Sequence, residues 1–398
     1  MALAMERWNL HRRIALKIMT WVGLGPGRIL AGFMFATAFL SMWISNTAST
    51  MMMLPIILSV LSQLENAMPG KAVERYAVGI LLGIAYAASV GGLTTLVGSP
   101  TNLVYPQQMQ VLFPEIAAVS FTDWMKLAAP VALVMFLVVF ALIYILFVPR
   151  QKFTGIDEEF FKLQYKSLGK ASYEEKAVLI LFIILASLWT FRTGIEFDRF
   201  RIPGWGDLFR NQAYINDSTA AIFISILLFV IPSGKKDGSR LMDWKTAARL
   251  PWDIVLLFGG GFALASGFQT SGLAIWLGEQ LSWTSSAGPY IILLSILVLM
   301  VFLTELTSNV ASIQMLLPVF AALSVSSGVD PILLMFPATL ASSMAFMLPT
   351  ATPPNAIVYG SHRIEITTMV RTGFILNILA ILILLAFSIF YTLDGKVL

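Results

Sequence analysis

The 398-residue chain has no cysteine and only two histidines, His11 and His362. The first absence excludes a disulfide scaffold, a thiolate metal site, an iron–sulfur cluster and a cysteine nucleophile. The second leaves almost nothing for a zinc centre or a histidine proton relay. Charge is scarce as well: 12% of residues are Asp, Glu, Lys or Arg, against about a quarter in an ordinary soluble domain. With 58% hydrophobic residues spread along the whole length, the composition is that of a polytopic membrane protein. No Ser–His–Asp, HExxH or paired-carboxylate arrangement falls at membrane depth, so enzyme chemistry is not expected. The formal charge of +4 points to no nucleic-acid partner, and Lys and Arg in such a chain mark the cytoplasmic face.

Runs of about 20 apolar residues, enough to cross a ~30 Å hydrocarbon core as helix, are read at Tyr76–Leu96, Leu127–Val148, Lys176–Arg192, Ser218–Ile231, Ile254–Ser266, Ile332–Leu348 and Phe374–Tyr391. The fourth and fifth are short and must borrow flanking residues. Ile29–Leu64 and Ala287–Val325 are each too long for one helix, and each is broken by a polar cluster, at Ser45-Asn46-Thr47 and at Ser308-Asn309-Val310. Such a break cannot face lipid, because its freed N–H and C=O groups have no partners there. Either two half-helices meet at a buried re-entrant tip, or two ordinary spans share a short loop.

An internal repeat favours the hairpin. Setting Phe39–Pro55 against Phe302–Pro318 without a gap makes nine of 17 positions identical, including Ser-Asn-x-Ala-Ser and the closing proline. A second matched interruption follows each copy, Gly98-Ser99-Pro100-Thr101-Asn102 and Ala351-Thr352-Pro353-Pro354-Asn355. Each half therefore holds a hairpin and then a broken helix. Five spans between the hairpins put them on opposite sides of the membrane, so the repeats are expected to be inverted, the sequence mark of a secondary transporter with its site near the midplane. With the first hairpin entering from the cytoplasm, twenty Lys and Arg fall inside and six outside (Lys126, Arg192, Arg199, Arg201, Arg210 and Lys396). This positive-inside bias puts the C-terminus outside. Met1–Trp21, with His11-Arg12-Arg13 among Leu, Ile and Trp, reads as a cytoplasmic interfacial helix without a signal-peptide layout.

The four interruptions are built from Ser, Thr, Asn, Gly and Pro, with no Lys or Arg. Half-helix N-termini attract anions, and carbonyl and hydroxyl oxygens suit a hard cation. Together they fit an anion carried with Na⁺, the ion supplying the compensating charge. Each Ser-Asn-Thr cluster taken alone is an ordinary N-cap; the doubling argues for a site, and the two roles are compatible. A channel is the rival from another class, but two inverted hairpins in one chain suit a carrier.

Ser45-Asn46-Thr47, Ser308-Asn309 and the run Ser343–Val358 with its Pro353-Pro354-Asn355 closely resemble the divalent-anion:sodium symporter family. The resemblance extends over nearly the whole chain, including His11-Arg12-Arg13 and the Gly259-Gly260-Gly261 helix. It implies an all-α polytopic membrane protein of inverted repeats, working as an elevator-type carrier and dimeric. The implied substrates are succinate, other C4 dicarboxylates, citrate or sulfate, with Na⁺ as coupling ion; the family also holds sodium-independent exchangers. It implies one sodium site at Ser41, Ser45, Asn46 and Gly98, a second at Thr304, Thr307, Asn309 and Ala351, and substrate contacts at Asn46, Thr47, Ser99, Asn309, Thr352 and Pro353.

Val310 lacks the hydroxyl that Thr47 offers at the first tip, and Thr350 stands where the family prefers an aliphatic residue. The family's first scaffold helices have no counterpart here, so the chain reads as a fragment, a misassigned start or a reduced variant, with a non-functional fragment as a further rival. The expected organisation is an interfacial helix at 1–28, a first transport-domain repeat at 29–112, scaffold and connecting helices at 113–286, a second repeat at 287–360, and a last span with an extracellular C-terminus at 361–398. The setting is the plasma or inner membrane.

Other features read as structural. Gly259-Gly260-Gly261 lacks the lysine of a phosphate loop and points to helix packing or a local break. Glu305 is either a proton-coupling carboxylate or a group at the extracellular hairpin surface, a structural role being preferred. His362 and the charged run Phe153–Lys176 read as solvated, and the sequon at Asn216-Asp217-Ser218 as a chance match.

Overall fold

The computed structural model describes every residue except 24, 68–69, 150–159, 198–199, 210–214, 236–237, 281–287 and 394–398. Arg150, Lys152, Arg199, Arg210, Lys236, Lys396, Ala287, the first part of the run Phe153–Lys176 and the C-terminal end thus lie outside the described residues. In chain order the helices are α1 (Ala2–Arg7), α2 (Leu10–Val22), α3 (Pro26–Ser41), α4 (Asn46–Ala67), α5 (Lys71–Leu93), α6 (Pro100–Leu112), α7 (Phe121–Phe147), α8 (Phe160–Ser167), α9 (Tyr173–Thr190), α10 (Asp217–Val230), α11 (Trp244–Ala247), α12 (Trp252–Thr270), α13 (Leu273–Gln280), α14 (Pro289–Leu306), α15 (Asn309–Ser327), α16 (Pro331–Ala341), α17 (Pro353–Tyr359) and α18 (Ile366–Leu393). Among the described residues the protein is helical apart from one small antiparallel hairpin, Ile195–Phe197 against Phe200–Ile202, with Ile195 opposite Ile202.

Seven described helices are long and apolar enough to cross a membrane: α4, α5, α7, α12, α14, α15 and α18. The shorter apolar helices are α3, α10 and α16. Both long interrupted stretches form helix–break–helix pairs, α3 with α4 and α14 with α15. The expected span Ile332–Leu348 is shorter than its apolar run, because α16 stops at Ala341 and helix resumes only at Pro353. Ser342 N–H still bonds to Ala338 O, those of Ser343 and Met344 turn back three residues to Leu340 O and Ala341 O, and those of Phe346, Met347 and Leu348 go to the Glu305 carboxylate, so the helical ladder is not continued. The segment Met1–Trp21, expected as one interfacial helix, is two helices, divided at Asn9 with φ of 55°.

Met1–Trp21, Val119–Lys126 and Asp157–Trp252 form one compact unit. Polar pairs bind it: Arg13 Nε donates to Glu175 Oε1 at 2.9 Å, Arg7 meets Asp243 at 2.7 Å, and Trp8 Nε1 donates to Leu241 O at 2.8 Å. Glu175 also closes a capping box with Ser172 at the start of α9, so one carboxylate serves both the helix end and the arginine. Asn216 is the N-cap of α10, accepting from Thr219 N at 3.1 Å, which gives the sequon asparagine a local structural job.

Val22–Ala118, Leu127–Ile156 and Asp253–Leu398 form the other unit. Its centre is α5, where 94% of the most apolar window is buried, against 11–56% in the other six candidate spans. An apolar helix enclosed on all sides needs small residues where neighbours cross, and α5 supplies Ala85, Ala87, Ala88, Gly91 and Gly92. At Gly91 the α3 backbone comes so close that a Cβ would stand 2.3 Å from Ala38 O. Around Gly259, on the less enclosed α12, a Cβ would meet nothing within 4 Å. Gly91→Ala should therefore destabilise the purified protein by about 1–3 kcal/mol, the usual cost of overpacking, whereas Gly259→Ala should leave its melting temperature unchanged or raised. Equal melting temperatures for the two variants would contradict this packing.

Candidate functional site

Two hairpin tips and two broken helices face one another within the second unit. At the first tip α3 ends at Ser41, and Ser45 caps the next helix by accepting from Ala48 N at 3.2 Å. At the second, α14 ends at Leu306, and Ser308 caps α15 by accepting from Ala311 N at 3.5 Å. The breaks between α5 and α6 and between α16 and α17 are tied by the same device. Asn102 Nδ2 donates to Gly92 O (2.8 Å) and Thr95 O (2.7 Å). Asn355 Nδ2 donates to Ala345 O (3.2 Å) and Leu348 O (3.0 Å). In both halves a fully buried asparagine reaches back to the carbonyls ten and seven residues before it. Carbonyls released by a break inside an apolar core need such partners.

The backbone N–H groups are satisfied differently in the two halves. In the first, Thr95 Oγ1 accepts from Gly98 N at 3.1 Å and donates to Met42 O at 2.5 Å. In the second, Glu305 stands at the position aligned with Met42, and its carboxylate accepts from Phe346 N (2.7 Å), Met347 N (2.9 Å), Leu348 N (3.0 Å) and Asn377 Nδ2 (2.7 Å). Glu305 is only 3% exposed, which sets aside the expectation of a hairpin-surface group. It has no ion-pair partner among the described residues, and backbone and amide donors stabilise it instead.

The ends of these elements enclose a cavity of about 570 Å³. Ser45, Asn46 and Thr47 line it from the first tip, Ser99, Pro100 and Thr101 from the first break, Ser308, Asn309 and Val310 from the second tip, and Ala351, Thr352, Pro353 and Pro354 from the second break. Ser89, Ser343, Thr350, Asp253, Ile254 and Leu257 complete the wall. Four helix N-termini, those of α4, α6, α15 and α17, thus open onto one space, and no Lys or Arg lines it. At α4, α6 and α15 unpaired N–H groups give each N-terminus up to about +0.5 of an elementary charge, so an anion is attracted without a fixed cation. Pro353 and Pro354 occupy the first positions of α17 and lack N–H groups, which leaves the Thr352 hydroxyl as a polar group at that end.

Beside the first tip, oxygen atoms cluster around the Asn46 amide. Ser41 Oγ lies 2.7 Å from Ala88 O and 2.5 Å from Asn46. One hydroxyl has one proton and cannot donate to both. With Nδ2 turned inward, the two N–H groups of Asn46 have Ala88 O (3.1 Å), Ser41 Oγ (2.5 Å) and Gly98 O (3.3 Å) as acceptors within reach. With Oδ1 inward, four oxygens converge, a donor set that fits a hard cation. A Cβ on Gly92 would approach this amide oxygen to 2.3 Å, so only glycine leaves the amide room. At the second tip Asn309 Oδ1 is buried with no hydrogen-bond partner among the described residues.

The sodium:sulfate symporter transmembrane region matches residues 1–393. The chain belongs to that family. It is 43% identical over 390 residues to the sodium-dependent dicarboxylate transporter SdcS of Staphylococcus saprophyticus, covering 96% of this chain and 73% of that protein. It is 40% identical over 392 residues to SdcS of Staphylococcus aureus, covering 97% of this chain and 73% of the relative. In fold it resembles the YdaH transporter of Alcanivorax borkumensis, described as having an unusual topology, with a TM-score of 0.64 at 15% identity over 99% of this chain and 85% of the other. Symporters are carriers, so the family membership speaks against an enzyme.

All six substrate residues expected from sequence, Asn46, Thr47, Ser99, Asn309, Thr352 and Pro353, line the cavity. Of the expected sodium residues, Ser45, Asn46, Asn309 and Ala351 line it too. Ser41, Gly98 and Thr304 are buried and Thr307 is exposed. The Thr304 hydroxyl donates within its own helix, with Met300 O at 2.9 Å, and Thr307 Oγ1 lies 2.6 Å from Ser312 Oγ. Sequence reading missed Ser89, Thr101, Ser343 and Asp253 on the wall and the braces Asn102, Asn355 and Asn377. The asparagine shared by Pro-Thr-Asn and Pro-Pro-Asn was the available signal for two of the braces; Asn377 had none.

Glu305→Ala would strand three backbone donors and Asn377, and each buried donor left unpaired costs about 1–3 kcal/mol. The purified variant is expected to melt well below wild type, with Glu305→Gln between them because it keeps one acceptor. An alanine variant as stable as wild type would remove the bracing role.

Proposed function

We propose that the chain is a sodium-coupled secondary transporter of dicarboxylates working by alternating access. The observation that carries this is the cavity in which four helix N-termini, amides and hydroxyls meet without a cationic side chain. Asn46, Thr47 and Ser99 would hold one carboxylate, and Asn309 and Thr352, beside Pro353, the other. Sodium ions would sit at Ser41, Ser45, Asn46 and Gly98 and at Thr304, Thr307, Asn309 and Ala351, the Asn46 amide turning its oxygen inward as the first ion arrives. Because the anion then meets charge that is itself transported, an empty carrier has no fixed cation to hold its substrate back.

The segments 29–112 and 287–360 are proposed as inverted repeats forming a transport domain. It would move elevator-fashion against a dimeric scaffold contributed by 113–286. The first hairpin enters from the cytoplasmic side of the inner or plasma membrane, the segment 1–28 lies on that face, and the C-terminus is outside. If sodium charges exceed substrate charges by one, a potential of 100 mV supplies ~2.3 kcal/mol, about a 50-fold gradient. The relatives named sodium-dependent dicarboxylate transporters favour dicarboxylates over the sulfate of the family's description.

The test is uptake of radiolabelled succinate into proteoliposomes. Uptake is expected to require external Na⁺, and Asn46→Ala and Asn309→Ala should each abolish it without loss of expression. Uptake independent of Na⁺ would favour an exchanger of the same fold, sulfate uptake without succinate uptake would reassign the substrate, and wild-type rates in the variants would remove the site assignment.

A further inference from the structure

Buried hydroxyls on helices in this protein mostly close on their own backbone. Thr37 donates to Phe33 O at 2.7 Å, Thr304 to Met300 O at 2.9 Å, and Thr339 to Met335 O at 2.8 Å. Ser89, on the central helix α5, does not. It is 1% exposed, its buried Oγ has no hydrogen-bond partner among the described residues, and the residue is part of the cavity wall between the tips. The carbonyl next to it, Ala88 O, already receives the Ser41 hydroxyl. On the same wall Thr101 and Ser343 satisfy each other at 2.7 Å. Ser89 thus presents a spare O–H to a space shared with Asn46 and Thr47, and a buried hydroxyl in that condition is costly unless a ligand supplies the missing partner.

The chemistry of the ligand follows from which half of the hydroxyl is unused. A cation binds an oxygen lone pair and would leave the proton without an acceptor, still buried. An anion accepts the proton. We propose that Ser89 is a further substrate-recognition residue, donating a hydrogen bond to a carboxylate oxygen of the anion at the first tip. The proposal rests on the transport reading above and extends it from the tips and breaks to the helical arm that precedes the first break. Ser89 sits four residues before Leu93, where α5 ends, so the contact also lets the anion touch the rigid arm of the broken helix.

The experiment uses the full chain, wild type, Ser89→Ala and Ser89→Thr, with two readouts: KM for succinate uptake in proteoliposomes, and the melting-temperature shifts produced by Na⁺ alone and by Na⁺ with succinate. Loss of one hydrogen bond to a charged group predicts a rise in KM of about tenfold or more for Ser89→Ala. The shift with Na⁺ alone should stay at the wild-type value, and Ser89→Thr, which keeps the hydroxyl, should bind like wild type. An unchanged KM in the alanine variant overturns the proposal. So does loss of the shift with Na⁺ alone, which would make Ser89 a cation ligand. A wild-type chain with no response to succinate would overturn the transport reading, and the Ser89 contact with it.

Discussion

Breaking a helix inside an apolar core frees backbone groups that water cannot reach, and everything at the centre of this protein follows from how those groups are satisfied. Asn102 and Asn355 each tie two released carbonyls at the same sequence offsets. Thr95 and Glu305 take the released N–H groups. Once the breaks are held in this way, the helices that resume after them start inside the protein and not at its surface. Their N-termini then have a common space to face.

The same constraint accounts for the electrostatics of the site. The cavity is lined by helix starts, amides and hydroxyls, with Asp253 as its one carboxylate and no cationic side chain, so its attraction for an anion comes from partial charges that are permanent parts of the backbone. Oxygens around Asn46 suit a cation beside it. The two halves are alike in backbone and unlike in charge. Where the first half uses the Met42 carbonyl and the Thr95 hydroxyl, the second buries the Glu305 carboxylate, and Val310 replaces the hydroxyl of Thr47. The cavity therefore has two tips of different chemistry, Thr47 at one and Val310 at the other, in an otherwise repeated frame.

Much of this was legible in the sequence because the breaks carry short polar words in apolar text. Ser-Asn-x-Ala-Ser and the two Pro-x-Asn runs located both tips, both breaks and part of the cavity lining, leaving out Ser89, Thr101, Ser343 and Asp253. The duplication made an ordinary capping signal a candidate site. What was not legible depends on partners distant in the chain. The acceptor role of Glu305 needs Phe346–Leu348 and Asn377 brought beside it. Ser89 looks like any small residue in a close-packed helix until its neighbours are known to leave its hydroxyl unused. The end of α16 at Ala341 was hidden by an apolar run that continues through Leu348, since hydropathy does not register where a carboxylate captures the backbone.

The central claim is that an anion is held here by neutral groups and needs transported cations to complete its charge balance. Succinate binding to the purified protein in detergent, measured by calorimetry with Na⁺ replaced by choline and then restored, tests it directly. No measurable binding in choline and binding on addition of Na⁺ is the predicted result. Binding of equal affinity in both would contradict the account.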